Sequence, residues 1–169
     1  VGMSSSGLHS NGYSLARKVV LDVIHKGMHA ALVDGKTVAD VLLEPTKLYV
    51  KPVLALLDAG VDVHAMAHIT GGGIPLNLTR SFPEGTAARV RPSTWPEPAI
   101  FDVIRTGGPV AEDEMRRTFN CGIGFALVVN SDIATSVCTT LAEHGEQAHV
   151  IGEVIAADAS VKSGDVVYA

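Results

Sequence analysis

Apolar and polar residues alternate along Val61–Ile69, placing Val63, Ala65, Ala67 and Ile69 on one side and His64, Met66 and His68 on the other. A period of two is the pattern of a half-buried strand. Gly71, Gly72 and Gly73 interrupt it, and Pro75 suits the first turn of a helix, where its missing N–H is not needed. The stretch is read as strand, glycine turn and a helix opening from Ile74 to Arg80. Upstream, Val1 to Gly12 reads as a polar, glycine-punctuated loop. Leu15, Ala16, Val19, Val20, Val23 and Ile24 then recur at helical spacing, with Ser10 or Asn11 as cap and Gly27 as stop.

The rest of the pattern alternates in the same way. Thr37 to Leu43 predicts a short helix ended by Pro45, and Lys47 to Val50 a brief extended stretch. Pro52 opens a helix that runs through Val53, Leu54, Leu56 and Leu57 to Gly60. Thr86 to Arg91 alternates weakly, as an exposed edge strand would, before Pro92. Ile100, Phe101, Val103 and Ile104 form one helical stripe closed by Gly107-Gly108. A further helix has Glu112, Asp113 and Glu114 at its start and Arg116 and Arg117 at its end, matching the helix dipole. Phe119 to Gly124 is a turn and Phe125 to Val129 a buried strand. Ser131 or Asp132 caps a helix through Ile133, Val137 and Leu141, and Ala148–Ala156 and Val166–Ala169 are closing strands. The fold class that follows is α/β, a mixed β-sheet covered by helices, in one domain spanning residues 1–169.

Composition narrows the function classes. A hydrophobic share of 47% with 18% charged residues describes a globular chain large enough to close its own core. A net charge of −5 without a Lys/Arg cluster leaves no nucleic-acid footprint. No apolar run of about eighteen residues and no charged-then-apolar leader predict a membrane span or a signal peptide. Cys121 and Cys138 lack metal-like spacing and read as reduced thiols of a cytoplasmic protein. The chain starts at Val1 without a Met, and its first residues read as the interior of a fold, so a fragment of a longer polypeptide is expected.

The candidate chemistry lies in the loops. A glycine turn at a helix start offers free N–H groups and a favourable dipole to a phosphate or carboxylate, which makes Gly71, Gly72 and Gly73 candidate binding residues. Asn77 and Arg80, one helical turn apart, would face the same way, and the arginine could hold a phosphate bidentately. Ser4, Ser5, Ser6, His9, Ser10 and Asn11 exceed what one helix cap requires and are expected to line a ligand. His64 and His68 on a strand stand roughly four rises of about 3.3 Å apart, too far to share one ion, so no metal site is expected. His68, nearest the glycines, is expected to bond the turn or a ligand, and His64 to be structural. Cys121 has no cationic neighbour in sequence to activate it and is expected to be a small buried residue, with Cys138 in the core. Nucleophile-elbow, Walker A and Rossmann motifs are absent. Read alone, these residues describe an α/β domain whose loops could surround a phosphorylated small molecule; they do not specify a reaction.

Four blocks together carry a resemblance. They are Ser5-Ser-Gly-Leu-His-Ser-Asn-Gly-Tyr-Ser14, Glu44-Pro-Thr-Lys-Leu-Tyr-Val50, His64-Ala-Met-Ala-His-Ile-Thr-Gly-Gly-Gly73 with Asn77 and Arg80, and Phe119-Asn-Cys-Gly-Ile-Gly124. In this order they resemble the C-terminal half of the aminoimidazole ribonucleotide synthetase (phosphoribosylformylglycinamidine cyclo-ligase) family, and the similarity covers essentially the whole chain. The resemblance implies ATP-dependent closure of formylglycinamidine ribonucleotide to aminoimidazole ribonucleotide in purine biosynthesis. It implies ATP and Mg²⁺ as cofactors, bound mainly by an N-terminal domain of the same polypeptide absent from these residues, and a homodimer. It also implies substrate contacts from Ser5, Ser6, Ser10, Asn11, Gly71, Gly72, Gly73, Asn77 and Arg80, with His9 or His68 in proton transfer. Sibling ATP-using enzymes of the superfamily, formylglycinamidine ribonucleotide synthetase and thiamine-monophosphate kinase among them, share the expected fold, and a non-catalytic nucleotide-binding module is the alternative from another class.

Overall fold

Short strands sort into three sheets in the computed structural model, which describes all 169 residues. The first sheet contains β1 (Gly2–Ser4), β4 (Val63–His68), β6 (Ile123–Val129) and β7 (Ala148–His149), in the order β4-β6-β1-β7 with every pairing antiparallel. The second is a hairpin of β2 (Ala31–Val33) and β3 (Lys36–Thr37). The third places β5 (Thr86–Val90) between β8 (Gly152–Ala156), antiparallel to it, and β9 (Val166–Tyr168), parallel to it. The α/β class stands, and the mixture of strand directions lies within this third sheet.

Helices α3 (Val50–Asp58) and α7 (Ala134–Glu143) cover one face of the four-stranded sheet, where Val53, Leu56, Val137 and Leu141 meet Met3 and Leu127. Its other face packs on the three-stranded sheet: Ala67, Ile123 and Ala126 share a core with Ala88, Val90 and Ile151. A third core joins α1 (Tyr13–Arg17), α2 (Val38–Leu42), α5 (Ala99–Gly107) and α6 (Glu112–Thr118) through Ala16, Leu42, Phe101, Ile104 and Met115. Thr37 starts α2 with a reciprocal capping box: its Oγ1 accepts from the Asp40 N–H, and the Asp40 carboxylate accepts from the Thr37 N–H.

Several expectations are corrected. Gly2 to Ser4 is not loop but a buried strand, paired on both sides by β6 and β7, too short for its pattern to register. Neither Ser10 nor Asn11 caps α1; Gly12, in the left-handed region at φ 69°, precedes it, and both polar side chains bond elsewhere. The helix then widens to π geometry over Lys18–Val23. Lys47 to Tyr49 is irregular rather than extended, and α3 begins at Val50. Thr86–Val90 is the centre of its sheet, not an edge, because β9 from the chain's far end pairs with it. The expected strand from Ala148 to Ala156 breaks at Val150-Ile151 and serves two sheets. No side chain caps α7. A register irregularity between Val63 and Ala65 puts Val63 against the α3/α7 layer and Ala67 and Ile69 in the opposite one, so the expected apolar face of Val63, Ala65, Ala67 and Ile69 is divided. Val38 to Leu42 is preceded by a hairpin whose Asp34-Gly35 turn has φ of 53° and 72°, the primed geometry that strand twist favours. No helix is long and apolar enough to cross a membrane.

Candidate functional site

The glycine turn is built by the packing it must survive. At Gly73, φ is 59° and a Cβ would lie 1.9 Å from the Arg116 carbonyl oxygen on α6, so only glycine lets the turn sit there. A Cβ at Gly72 (φ 98°) would meet Leu76 at 2.8 Å, whereas Gly71 is exposed with nothing closer than 3.9 Å. Asn77 turns inward from the short helix α4 (Gly73–Asn77). Its amide donates to the carbonyls of Thr70, Gly71 and Gly73 and accepts from the Thr70 hydroxyl, which ties the turn together from beneath. Arg80, on the 3₁₀ extension Leu78–Ser81, is exposed and makes no ion pair, so it does not share a face with the buried Asn77. The three turn carbonyls pull the asparagine in.

The N-terminal loop meets this turn directly. The Gly71 N–H donates to Asn11 Oδ1 at 2.9 Å, across 60 residues of chain. The loop also clasps the 44–49 segment: Ser6 Oγ donates to the Pro45 carbonyl at 2.7 Å and Ser10 Oγ and Thr46 Oγ1 are 3.1 Å apart, while the Tyr13 hydroxyl of α1 donates to the Leu42 carbonyl at the end of α2. Ser5 instead faces the protein and donates to Asn120 Oδ1. Asn120, fully buried, also accepts from the Gly122 N–H and donates to the Gly7 carbonyl, pinning the first loop to the Phe119–Gly124 turn.

Four rings gather where these segments meet. His9 lies 6.1 Å from Tyr49 and 6.4 Å from His68 between ring centroids; His68 stacks at 6.2 Å on Phe125, its cross-strand partner. Tyr49 donates to the buried Ser4 carbonyl at 2.9 Å. Gly124 lies beneath two of the rings: a Cβ there would stand 2.1 Å from the Tyr49 hydroxyl and 2.5 Å from His9 Cε1. His9 is 2% exposed, and burial first, then the neighbouring His68 and Lys47, lowers its pKa from 6.5 to about 4. Burial, then the Glu146 charge, raises that of Tyr49. Lys47 Nζ sits 2.7 Å from Glu146 Oε2 but off the line of a hydrogen bond, so charge holds this partly buried pair.

The structure thus brings His9, His68, Ser6, Ser10, Asn11 and Gly71 to one surface, and directs Ser5 and Asn77 inward. Sequence reasoning missed Tyr49, the Lys47–Glu146 pair, Phe125 and Asn120; the first, Lys47 and Asn120 stood within the blocks already singled out. Cys121 is half-buried, with its thiol pushed up to about 12 by burial first and by Glu97 and Glu112. Cys138 is half-buried on α7 rather than in the core. His64 bonds Asn130 Oδ1 at 3.0 Å, away from the ring cluster. No three His, Cys, Asp or Glu side chains gather as a metal site.

The fold and site define an α/β domain whose loops meet beside a pair of imidazoles, and sequence comparison gives its family. The model of a family described as AIR synthase related protein, C-terminal domain, matches residues 1–163, and the chain belongs to that family. It is 52% identical over 164 residues to a phosphoribosylformylglycinamidine cyclo-ligase of Symbiobacterium thermophilum, covering 94% of this chain and 46% of that protein. It is 49% identical over 154 residues to the protein of the same name from Anaeromyxobacter dehalogenans, covering 91% and 44%. The chain therefore spans about half the length of the curated relatives it matches. A crystal structure of thiamine-monophosphate kinase from Stenotrophomonas maltophilia K279a superposes with a TM-score of 0.55 at 16% identity, over 99% of this chain and 49% of that one; this likeness concerns the fold alone.

Proposed function

We propose that this chain is the substrate-side domain of an ATP-dependent cyclo-ligase that closes formylglycinamidine ribonucleotide to aminoimidazole ribonucleotide, releasing ADP and phosphate. One observation carries the reading: the blocks at residues 5–14, 44–50, 64–73 and 119–124 converge, through the Asn11–Gly71 bond, the clasp on Pro45 and Thr46, and the Asn120 anchor, around His9 and His68. In this reaction ATP phosphorylates the formyl amide oxygen, the amidine nitrogen attacks that carbon, and phosphate departs with the oxygen. The nitrogen gives up a proton, and an imidazole at this surface is placed to receive it. Ser6, Ser10 and Asn11 contact the glycinamidine or ribose groups, and Arg80 beside the solvent-facing edge of the glycine turn at Gly71 and Gly72 meets the 5′-phosphate, the Gly71 and Gly73 N–H groups being taken up within the protein. ATP and Mg²⁺ belong mainly to the N-terminal half of the polypeptide. The working form is a cytoplasmic homodimer of the full-length protein.

The test is ring closure by the full-length gene product given formylglycinamidine ribonucleotide, ATP and Mg²⁺, with aminoimidazole product and ADP followed together. Equal formation of both is expected. ATP consumption without aminoimidazole product moves the chain to a sibling ATP-using enzyme, and neither signal removes the catalytic reading.

A further inference from the structure

Ser6, Ser10, Asn11 and Tyr49 are each hydrogen-bonded within the protein, but one buried ring atom of the neighbouring His9 is not. Nδ1 of His9 has no partner, although the ring is almost wholly buried. The other ring nitrogen is occupied, since the Ser6 N–H donates to His9 Nε2 at 3.2 Å. A ring nitrogen that accepts a hydrogen bond carries no proton, so the neutral imidazole holds its proton on Nδ1. The ring cannot readily turn. His9 sits at φ 56°, closing the tight Ser6–His9 turn, and it rests on Gly124 beside Tyr49. A buried N–H without an acceptor is destabilising, and such atoms occur where a ligand supplies what the protein does not.

We propose that His9 is a fixed, neutral hydrogen-bond donor whose Nδ1–H meets an acceptor oxygen of the bound substrate, and that His68 alone of the two imidazoles moves protons. The oxygen's identity rests on the cyclo-ligase reading: it is the amide oxygen that becomes phosphorylated and departs. A preorganised donor aimed at an oxygen that gathers charge lowers the barrier without changing its own protonation. The groups around His9 hold it neutral. His68 from β4 and Lys47 from the 44–49 segment both oppose a second positive charge, Tyr49 keeps its proton, and Glu146 is taken up by Lys47. His68, in contrast, is exposed and has no hydrogen-bond partner within the protein, so it can take the proton released by the attacking nitrogen and pass it to water.

Two substitutions separate donor from base. The amide nitrogen of asparagine overlays histidine Nδ1, whereas the glutamine amide reaches the Nε2 position, where its oxygen can face the Ser6 N–H. His9→Asn therefore keeps the donor and loses the Ser6 anchor, while tolerating the left-handed backbone. His9→Gln keeps an acceptor for Ser6 and loses the donor. In the full-length enzyme, His9→Asn retains kcat within about tenfold, and His9→Gln loses about 10²–10³-fold. Equal losses, or a better His9→Gln, overturn the assignment. On the unsubstituted protein, ¹⁵N NMR of the imidazole rings is expected to show His9 neutral and protonated at Nδ1 across pH 5–8. An Nε2–H signal, or protonation of His9 within that range, overturns it whatever the variants do. If the intact enzyme makes no aminoimidazole product, the cyclo-ligase reading fails, and the NMR result still decides the tautomer.

Discussion

Gly124→Ala tests how the ring cluster is held. The new Cβ would stand 2.1 Å from the Tyr49 hydroxyl, 2.9 Å from its Cζ and 2.5 Å from His9 Cε1, so both rings must move. The Gly124 backbone is not in the left-handed region, so the penalty comes from these contacts alone. Overpacking of this kind costs about 1–3 kcal/mol. Displacing the tyrosine also breaks its buried bond to the Ser4 carbonyl, worth about 1 kcal/mol. The total, about 2–4 kcal/mol, corresponds to a fall in Tm of roughly 4–16 °C for a chain of this size. Urea and thermal unfolding followed by circular dichroism would measure it. Tyr49→Phe removes the atom in closest conflict, so the double variant should be more stable than the sum of the two single losses by about 0.5–1 kcal/mol. A Gly124→Ala protein within about 0.5 kcal/mol of the unsubstituted one, or strict additivity with Tyr49→Phe, would refute the contact argument.

Three further outcomes follow from the same geometry. His9 titrates at about 4 when folded against 6.5 ordinarily, so the unfolded chain binds the proton first; its contribution is whole above about pH 6.5 and is lost as pH falls towards 4. Stability should drop by about 1–2 kcal/mol from this group between about pH 7 and 5, and urea midpoints of His9→Asn should fall less over that range; equal slopes would count against it. Asn120→Ala leaves the Ser5 hydroxyl, the Gly122 N–H and the Gly7 carbonyl without their partner, and a loss of about 2–4 kcal/mol in urea unfolding is expected; a loss below about 1 kcal/mol would mean the loop anchors itself by other bonds. Lys47→Met strands the buried Glu146 carboxylate and should destabilise by about 2 kcal/mol, with Glu146→Gln restoring most of it, as read by thermal unfolding; no restoration would show that the pair is not coupled.

Where an element was long and periodic, its residues announced it. β4, β6, α3, α5 and α6 lie close to where alternation, helical stripes and end charges place them. The Asp34-Gly35 hairpin carried a turn signal of the primed type that went unread. β1 was illegible because three residues carry no measurable period; its strand character comes from β6 and β7 on either side. Thr86–Val90 looked like an edge because its sequence cannot reveal the partner that arrives some 80 residues later. At the site, the loop serines and the glycine turn were visible, but their allegiances were not. Only the fold shows that Ser5 and Asn77 serve the scaffold while Ser6, Ser10 and Asn11 join loops at the surface. Tyr49 escaped notice because an aromatic before an apolar helix reads as core, which it also is.

The placement of β1 between β6 and β7 has a consequence for biosynthesis. Gly2 and Met3 must find partners at Ala126 and Phe125 on one side and at His149 and Ala148 on the other. During translation those partners do not exist until most of the chain has left the ribosome, and closing so long a loop makes the pairing slow. The β2–β3 hairpin and the helices around it can form early from local contacts. The first sheet, and with it the juxtaposition of His9, Tyr49 and Gly124, waits for synthesis of the last third of the chain. Until then an apolar strand end stands open to aggregation, and a nascent chain stalled before Ile123 would hold the first three blocks of the candidate site without the strand that joins β1 to β4.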